Sequence, residues 1–154
     1  MRSNKEAKVS FLLEQDEDDW PPVATEAIWA DFVAEHLYRL RNVPFFAVGV
    51  SLGDVVRTEK PEAVERFVSV VEPSTNSTLH VFCFSDNKRA VLTDWLKQQG
   101  WEWEYGFKKQ YLAINVPASS KVNELISLLV SLEVPEEFEY EFSSKRFSTS
   151  ADSA

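Results

Sequence analysis

The stretch STLHVFCFSDNKRAVLTDWLKQQG, residues 77–100, decides the fold because a strand pattern changes there into a helix pattern. Its first nine residues are rich in β-branched and aromatic side chains, as strands are. Apolar residues then recur at helical spacing, at Val91, Leu92, Trp95 and Leu96. Asp86 can cap the start of this helix, and Gly100 suits the position just after its last turn. The stretch therefore predicts a strand followed by an amphipathic helix.

The chain after this helix also consists of strand patterns and a helix pattern. WEWEYGF and KQYLAINVP, residues 101–107 and 109–117, predict two strands joined by a turn. Residues 118–134 predict a second amphipathic helix, which Ser119 or Ser120 can cap. EEFEYEFS predicts the last strand. The order is β-α-β-β-α-β, which is the ferredoxin-like arrangement with its second and fourth strands at the edges of the sheet.

Both expected edge strands carry aromatic residues on one face and glutamates on the other. The aromatic residues are Trp101, Trp103 and Tyr105 in one strand and Phe138, Tyr140 and Phe142 in the other. The alternating glutamates are Glu102 and Glu104 in one and Glu137, Glu139 and Glu141 in the other. Because side chains alternate across a strand, we expect the aromatic residues to pack beneath the helices and the glutamates to point away.

The first half of the chain predicts several short strands separated by turn residues, a pattern typical of a small barrel. Residues 25–40, TEAIWADFVAEHLYRL, fit either a helix or strands. We therefore expect an α+β fold in which a small β-barrel-like part, residues 1–75, packs on a ferredoxin-like part, residues 76–142. Residues 143–154 are polar and predict a disordered tail.

The acidic residues are unevenly placed along the chain. The formal net charge is −9 at pH 7, from 25 acids and 16 bases. No Lys or Arg lies between Lys8 and Arg39, where there are eight acids, or between Lys121 and Lys145, where there are six. Such a field repels nucleic acid and anionic membranes and attracts basic partners, although an acidic surface can also serve solubility alone. We expect neither a nucleic-acid nor a membrane partner.

Six short pieces of the sequence form a recognisable constellation over roughly residues 9–142. They are DEDDWPPV, EAIW, NVPFFA, VSLGDVV, STLHV and GWEWE, at residues 16–23, 26–29, 42–47, 50–56, 77–81 and 100–104. Together they resemble a bacterial family, the domain of unknown function 4265 family. The resemblance implies a small cytoplasmic protein and favours strands over a helix for residues 25–40. It implies no particular reaction.

Motifs for catalysis and metal binding are weak in this chain. The four acids at positions 16–19 are followed by Trp-Pro-Pro, not by the glycine and distal glutamate of a calcium loop. The two histidines, His36 and His80, lie in different halves, and Cys83 falls in an apolar run that predicts a buried thiol. We therefore predict no catalytic residues, no metal site and no cofactor.

These patterns predict a non-enzymatic acidic binding protein. Its partner would be a basic protein, and the concrete form of the hypothesis is an immunity protein that inhibits a nuclease-like toxin domain. Acidic side chains would then take the place of the phosphates that such a toxin binds. The predicted partner-binding residues are Asp16, Glu17, Asp18, Asp19, Glu137, Glu139 and Glu141. No signal-peptide pattern and no apolar run of about 20 residues occurs, which predicts a cytoplasmic location.

Two alternatives remain open at this point. The first is an enzyme or a small-ligand-binding protein with a pocket between the two halves. The residues that could line such a pocket are Trp29, His36, Phe46, Asp54 and His80. The second is a structural or regulatory module whose edge strand pairs with a second copy.

Overall fold

The computed structural model describes residues 6–61 and 63–147 of the 154-residue chain. This described part contains nine strands and two helices, and it divides into two compact units, Met1–Ser74 and Thr75–Ala154. Its strand pairs are antiparallel apart from one. The fold is therefore α+β and mostly antiparallel, which confirms the predicted class at that level.

The first unit is built from five strands. They are β1 (Glu6–Leu12), β2 (Thr25–Ala34), β3 (Leu37–Leu40), β4 (Val55–Glu59) and β5 (Glu65–Glu72). Each strand pairs antiparallel with the next, and β5 pairs in parallel with β1, which closes the strands into a ring. Their inward side chains, among them Val9, Phe11, Ile28 and Val56, form one buried apolar cluster. This cluster is the core of the first unit.

Residues 25–40 form two strands and not a helix. Ile28 and Ala30 are buried, whereas Trp29 and Asp31, which alternate with them, are exposed, which is the two-residue period of a strand. The chain turns back at residues 35–36, where His36 adopts a left-handed backbone conformation with φ of 60°. The strand interpretation that the family resemblance favoured is thus confirmed.

A carboxylate on β2 organises the loop between β3 and β4. Glu26 accepts hydrogen bonds from three consecutive main-chain N–H groups, those of Phe45 at 2.6 Å, Phe46 at 2.9 Å and Ala47 at 2.8 Å. Successive N–H groups form a concave site for an anion, and here the protein's own side chain fills it. Phe45 and Phe46 therefore lie in an anchored loop.

The second unit contains a four-stranded sheet and two helices. Its elements are β6 (Ser77–Cys83), α1 (Asp86–Gln99), β7 (Trp103–Gly106), β8 (Tyr111–Val116), α2 (Val122–Leu132) and β9 (Phe138–Ser144). The order across the sheet is β7-β8-β6-β9, so β6 and β8 are central and the two expected edge strands do lie at the edges. Alternate residues of β6 and β8 pack with Leu92 and Leu96 of α1 and Leu125 and Leu129 of α2. One face of the sheet is thus covered by the helices.

The aromatic residues of GWEWEYGF belong mainly to this core. Trp101 is 9% exposed and meets Trp95 of α1 edge to face, with 5.1 Å between ring centroids. Trp103 also packs against the core, whereas Tyr105, nearer the turn, is 40% exposed. The interior interpretation therefore holds for the two tryptophans, and β7 itself is shorter than the predicted strand.

Several local expectations need correction. The N-cap of α1 is Ser85, whose hydroxyl accepts a hydrogen bond from the N–H of Lys88, while Asp86 lies in the first turn. The start of α2 has no side-chain cap, because the Ser119 hydroxyl binds the N–H of Lys121 before the helix begins. The predicted tail begins too early, since β9 continues through residue 144. The rest of that prediction, residues 148–154, lies outside the described residues.

The Glu26 anchor leads to a stability prediction. Replacing Glu26 with Ala leaves three partly buried N–H groups without their acceptor, and we expect the free energy of unfolding to fall by about 2–4 kcal/mol. Urea denaturation of the purified variant measures this loss. Glu35→Ala is the matched control, because Glu35 is exposed at the β2–β3 turn. Equal stability of the two variants would contradict the anchoring role of Glu26.

Candidate protein-binding surface

Strand β9 separates an interior face from an acidic face. Phe138 is fully buried, and Tyr140 and Phe142 pack partly against the same core beneath the helices. Glu139 and Glu141, which alternate with them, are exposed. The predicted orientation of this strand is confirmed, and its two central glutamates are presented together on the outer face.

Ion pairing distinguishes the three predicted glutamates of this region. The Lys88 ammonium lies 3.0 Å from a carboxylate oxygen of Glu137 and also donates to the main-chain carbonyl of Leu132 at 2.9 Å. Within residues 6–61 and 63–147, neither Glu139 nor Glu141 has a Lys or Arg at ion-pair distance. The Glu139 carboxylate accepts a hydrogen bond from the N–H of Glu136 at 3.2 Å but remains exposed. Glu137 is therefore partly neutralised locally, and Glu139 and Glu141 are the charges that β9 offers to a partner.

An aromatic row continues the glutamate face onto the neighbouring strand. Across the β6–β9 pairing, His80 lies opposite Glu141 and Phe82 opposite Glu139. Phe82 stacks almost parallel to Phe84, with ring centroids 6.4 Å apart, and Phe84 is 54% exposed. An exposed aromatic ring such as that of Phe84, close to carboxylates, suits Lys and Arg side chains, because rings attract cations and carboxylates pair with them.

The outer edge of β9 presents main-chain groups. The N–H of Phe84 donates to the carbonyl of Glu137 at 2.8 Å, so Glu137 directs its main chain toward β6. Phe138, one residue later, exchanges hydrogen bonds with Val134 on the opposite side, at 2.9 and 3.2 Å. Because these directions alternate along an antiparallel strand, Tyr140 and Phe142 direct their N–H and C=O groups toward the open edge.

The acidic loop at residues 16–19 is a separate feature in the first unit. The Asp16 carboxylate accepts hydrogen bonds from the N–H groups of Asp18 at 2.8 Å and Trp20 at 3.0 Å. Asp16 thus holds the turn closed, as Asp does in many turns. Glu17, Asp18 and Asp19 are exposed. All four predicted acids of this loop are therefore exposed to solvent, and Asp16 in addition stabilises the turn.

Two residues of the pocket hypothesis have structural contacts of their own. Trp29 faces outward, with the Lys8 ammonium 5.0 Å and the Arg41 guanidinium 5.8 Å from its ring centroid. Asp54 is fully buried, and its carboxylate accepts hydrogen bonds from the N–H groups of Ser51 at 2.9 Å and Ser74 at 2.8 Å. Asp54 therefore clamps its own turn and the end of the first unit, which gives the VSLGDVV motif a structural role.

The other three pocket candidates are divided between the units. Phe46 meets the ring of Trp20 edge to face at 5.3 Å, in the anchored loop. His36 lies at the β2–β3 turn with its Nδ1 atom 3.9 Å from a Glu65 oxygen. His80 belongs to the second unit, where its Nε2 atom is 3.5 Å from the Ser143 hydroxyl. The four candidates of the first unit thus take part in separate local structures.

Glu65, which the sequence analysis did not single out, organises a polar cluster at one end of the ring. Its carboxylate accepts hydrogen bonds from the hydroxyls of Thr58 at 2.7 Å and Tyr38 at 3.3 Å. Burial, together with the Glu65 charge and hydrogen bond, raises the pKa of Tyr38 above 10.0. Tyr38 and Glu65 also border a cleft of about 540 Å³, together with Lys8 and Lys60. Glu65 lies two residues before Phe67, which packs against the core, so both side chains are on the inner face of β5. This spacing is the sequence signal that could have identified Glu65.

Three further observations concern the described part of the chain. Residues 6–61 and 63–147 bring no three His, Cys, Asp or Glu side chains together in a way that could hold a metal ion. Neither helix has the length and apolar character needed to cross a membrane. Cys83 is buried, and burial raises the pKa of its thiol.

Comparisons with known proteins give a family and a fold. The model of a family described as Domain of unknown function (DUF4265) matches residues 26–140. A solved structure described as "Novel crystal structure of a hypothetical protein from Neisseria gonorrhoeae" is similar, with a TM-score of 0.76 and 18% sequence identity. The match covers 96% of this chain and 100% of that chain, and at this identity it shows a common fold alone. No curated protein matches the sequence.

The Tyr38–Glu65 contact leads to a titration prediction. In Glu65→Gln, we expect the pKa of Tyr38 to fall toward its ordinary value near 10.0, although burial, the largest cause of the shift, remains. The measurement is tyrosinate absorbance against pH, with Tyr38→Phe to identify the signal. The stability that the raised pKa contributes is present below the ordinary pKa and is lost as pH rises through the raised one.

Glu59→Gln is the matched control for this titration, because Glu59 is exposed on the neighbouring strand β4. It should leave the Tyr38 titration unchanged. An identical titration curve in wild type and Glu65→Gln would show that Glu65 does not influence the phenol.

Proposed function

The chain belongs to the family described as Domain of unknown function (DUF4265), and we propose that this member acts by binding a basic partner protein and not by catalysis. The observation that carries the proposal is the pair Glu139 and Glu141. Both are exposed on one face of an edge strand and lack a Lys or Arg partner within the described residues. An exposed aromatic ring, that of Phe84, lies just after the end of the adjoining strand β6.

The charge of the chain supports rapid association with such a partner. At a net charge of −9, the protein attracts cationic surfaces over distances set by ionic strength, roughly 8 Å at physiological salt. The exposed carboxylates of Glu17, Asp18 and Asp19 add a second acidic surface in the first unit. Steering of this kind raises the association rate more than it raises the affinity.

The specific form of the proposal is an immunity-type inhibitor of a nuclease-like toxin. A nuclease binds phosphates through basic residues, and exposed carboxylates can occupy the same positions. Glu139 and Glu141 would supply such carboxylates from a rigid strand whose other face is packed in the core. The cytoplasm is the proposed location, because an immunity protein has to meet the toxin where the toxin acts.

We further infer specific fold names for the two units. The closed ring of five strands supports a small barrel for the first unit. The order β7-β8-β6-β9, with helices after β6 and β8, supports a ferredoxin-like arrangement for the second. A ferredoxin-like arrangement would explain why β7 and β9 are edge strands, since it leaves the second and fourth strands with one unpaired side.

A second candidate function is the binding of a small ligand. The observation that favours it is the cleft of about 540 Å³ in the first unit, which Tyr38 and Glu65 border. The Tyr38 hydroxyl and the charged groups around it would give such a ligand polar contacts. An enzyme, or a ligand site between the two halves, belongs to this same candidate. A thermal-shift screen of small ligands on wild type and Glu65→Gln tests the binding function.

The partner-binding proposal is tested by reversing the charges on β9. The partner for this test is a basic protein recovered from the producing bacterium, and the measurement is its association rate at low and physiological ionic strength. We expect the wild-type rate to fall on the order of tenfold with salt. The Glu139→Lys/Glu141→Lys variant should associate on the order of tenfold more slowly at low salt and lose most of the salt dependence.

The matched control for this test is Asp94→Lys/Glu124→Lys, which changes the net charge equally on the exposed sides of the two helices. It should retain most of the wild-type rate. If the β9 variant and the helix variant have the same rates as wild type at both salt concentrations, the acidic surface of β9 does not bind the partner.

A further inference from the structure

We propose that the partner binds by adding a strand to the open edge of β9. The added segment would be extended, with Lys or Arg at every second position and apolar residues between them. This inference rests on the proposed function and specifies the partner's chemistry and geometry. It is carried by three features of β9: the direction of its main-chain groups, the separation of its two faces and its charge.

The main chain of β9 offers a short but well-defined edge. Val134 already occupies the outward groups of Phe138, so the available edge begins at Tyr140. The register with β6 is regular from Phe138 to Phe142, which keeps the alternation of main-chain directions intact over this length. The outward N–H and C=O groups of Tyr140 and Phe142 have no hydrogen-bond partner within the described residues. An extended segment could therefore form four main-chain hydrogen bonds here.

The side chains of β9 specify what the added strand should carry. Residues directly opposite one another in paired strands lie on the same face of the sheet, with Cβ atoms roughly 5 Å apart. A residue opposite Glu139 or Glu141 would thus lie on the acidic face, where Lys or Arg is favourable. A residue opposite Tyr140 would lie on the face that joins the core, where an apolar side chain is favourable. Alternating basic and apolar residues satisfy both requirements.

The same charges disfavour a second copy of this chain as the occupant. If β9 paired antiparallel with another β9 about Tyr140, Glu139 of one copy would lie opposite Glu141 of the other. Like charges directly opposite each other destabilise a strand pair, and charged edges are a common protection against such pairing. The segment that the edge accepts is therefore a basic one.

The first experiment uses a fluorescent peptide, acetyl-KVKVKV-amide, with the full-length protein. Fluorescence anisotropy measures its affinity for wild type, for Glu139→Lys/Glu141→Lys and for the helix control Asp94→Lys/Glu124→Lys. We expect binding to wild type and to the helix control, and on the order of tenfold weaker binding to the β9 variant. The peptide acetyl-EVEVEV-amide should not bind.

The second experiment separates strand addition from simple charge attraction. In a peptide that binds antiparallel to β9, as we propose, the N–H groups of the valines opposite Tyr140 and Phe142 face β9, and those of the lysines face away. N-methylation of the valines should therefore weaken binding at least on the order of tenfold, since it removes the ladder hydrogen bonds. N-methylation of the lysines alters the same number of amides on the far side and should leave the affinity within about twofold.

Amide hydrogen exchange gives a direct readout on the protein. Peptide binding should protect the N–H groups of Tyr140 and Phe142 and leave those of Glu139 and Glu141, which already face β6, nearly unchanged. Equal weakening by both N-methylated peptides, or no protection of Tyr140 and Phe142, would overturn strand addition. So would a failure of the parent peptide to bind wild type.

The proposed function would survive those outcomes if the basic partner protein still associated in a manner that depends on salt and on Glu139 and Glu141. If reversing the charges of Glu139 and Glu141 changes neither peptide binding nor partner association, both proposals are wrong.

Discussion

The two-residue alternation of β9 against β6 is the constraint on which the candidate surface depends. It buries Phe138 in the core, directs Glu139 and Glu141 outward and aims the main chain of Tyr140 at the open edge. A slip of one residue in the register would exchange the two faces and bury the glutamates. The apolar core beneath α1 and α2 prevents that slip. Packing in the interior thus determines the chemistry of the surface.

Carboxylates play two different roles in this protein, and burial separates them. Glu26 and Asp54 bind main-chain N–H groups of loops, and Glu65 binds side-chain hydroxyls at one end of the ring. Each satisfies donors that would otherwise lose hydrogen bonds on leaving water. Glu139 and Glu141 remain exposed and keep their charge available. A count of acids therefore overstates the binding surface, because several acids are part of the internal structure.

Local ion pairs reduce the binding surface further. Lys88 of α1 pairs with Glu137 and also binds the main-chain carbonyl of Leu132 at the end of α2. It thereby links the start of β9 to the two helices and lowers the negative charge there. The carboxylates of β9 that lack a Lys or Arg partner among the described residues, those of Glu139 and Glu141, therefore lie further along the strand. The N–H and C=O groups of Tyr140, which lies between them, point toward the open edge. Charge and hydrogen-bonding capacity coincide at Glu139–Glu141.

The sequence by itself determined the elements of the second unit, because strand and helix periods are properties of neighbouring residues. The alternation of Phe138, Tyr140 and Phe142 with glutamates was enough to predict which face is inside. Only the tertiary structure decided how the acids are used. The contacts between Glu26 and Phe45, Asp54 and Ser74, and Lys88 and Glu137 join residues about 20 to 50 positions apart, and such pairs leave no periodic signal. The open edge likewise follows from which strands pair, a choice made by packing the whole unit and not by any local stretch.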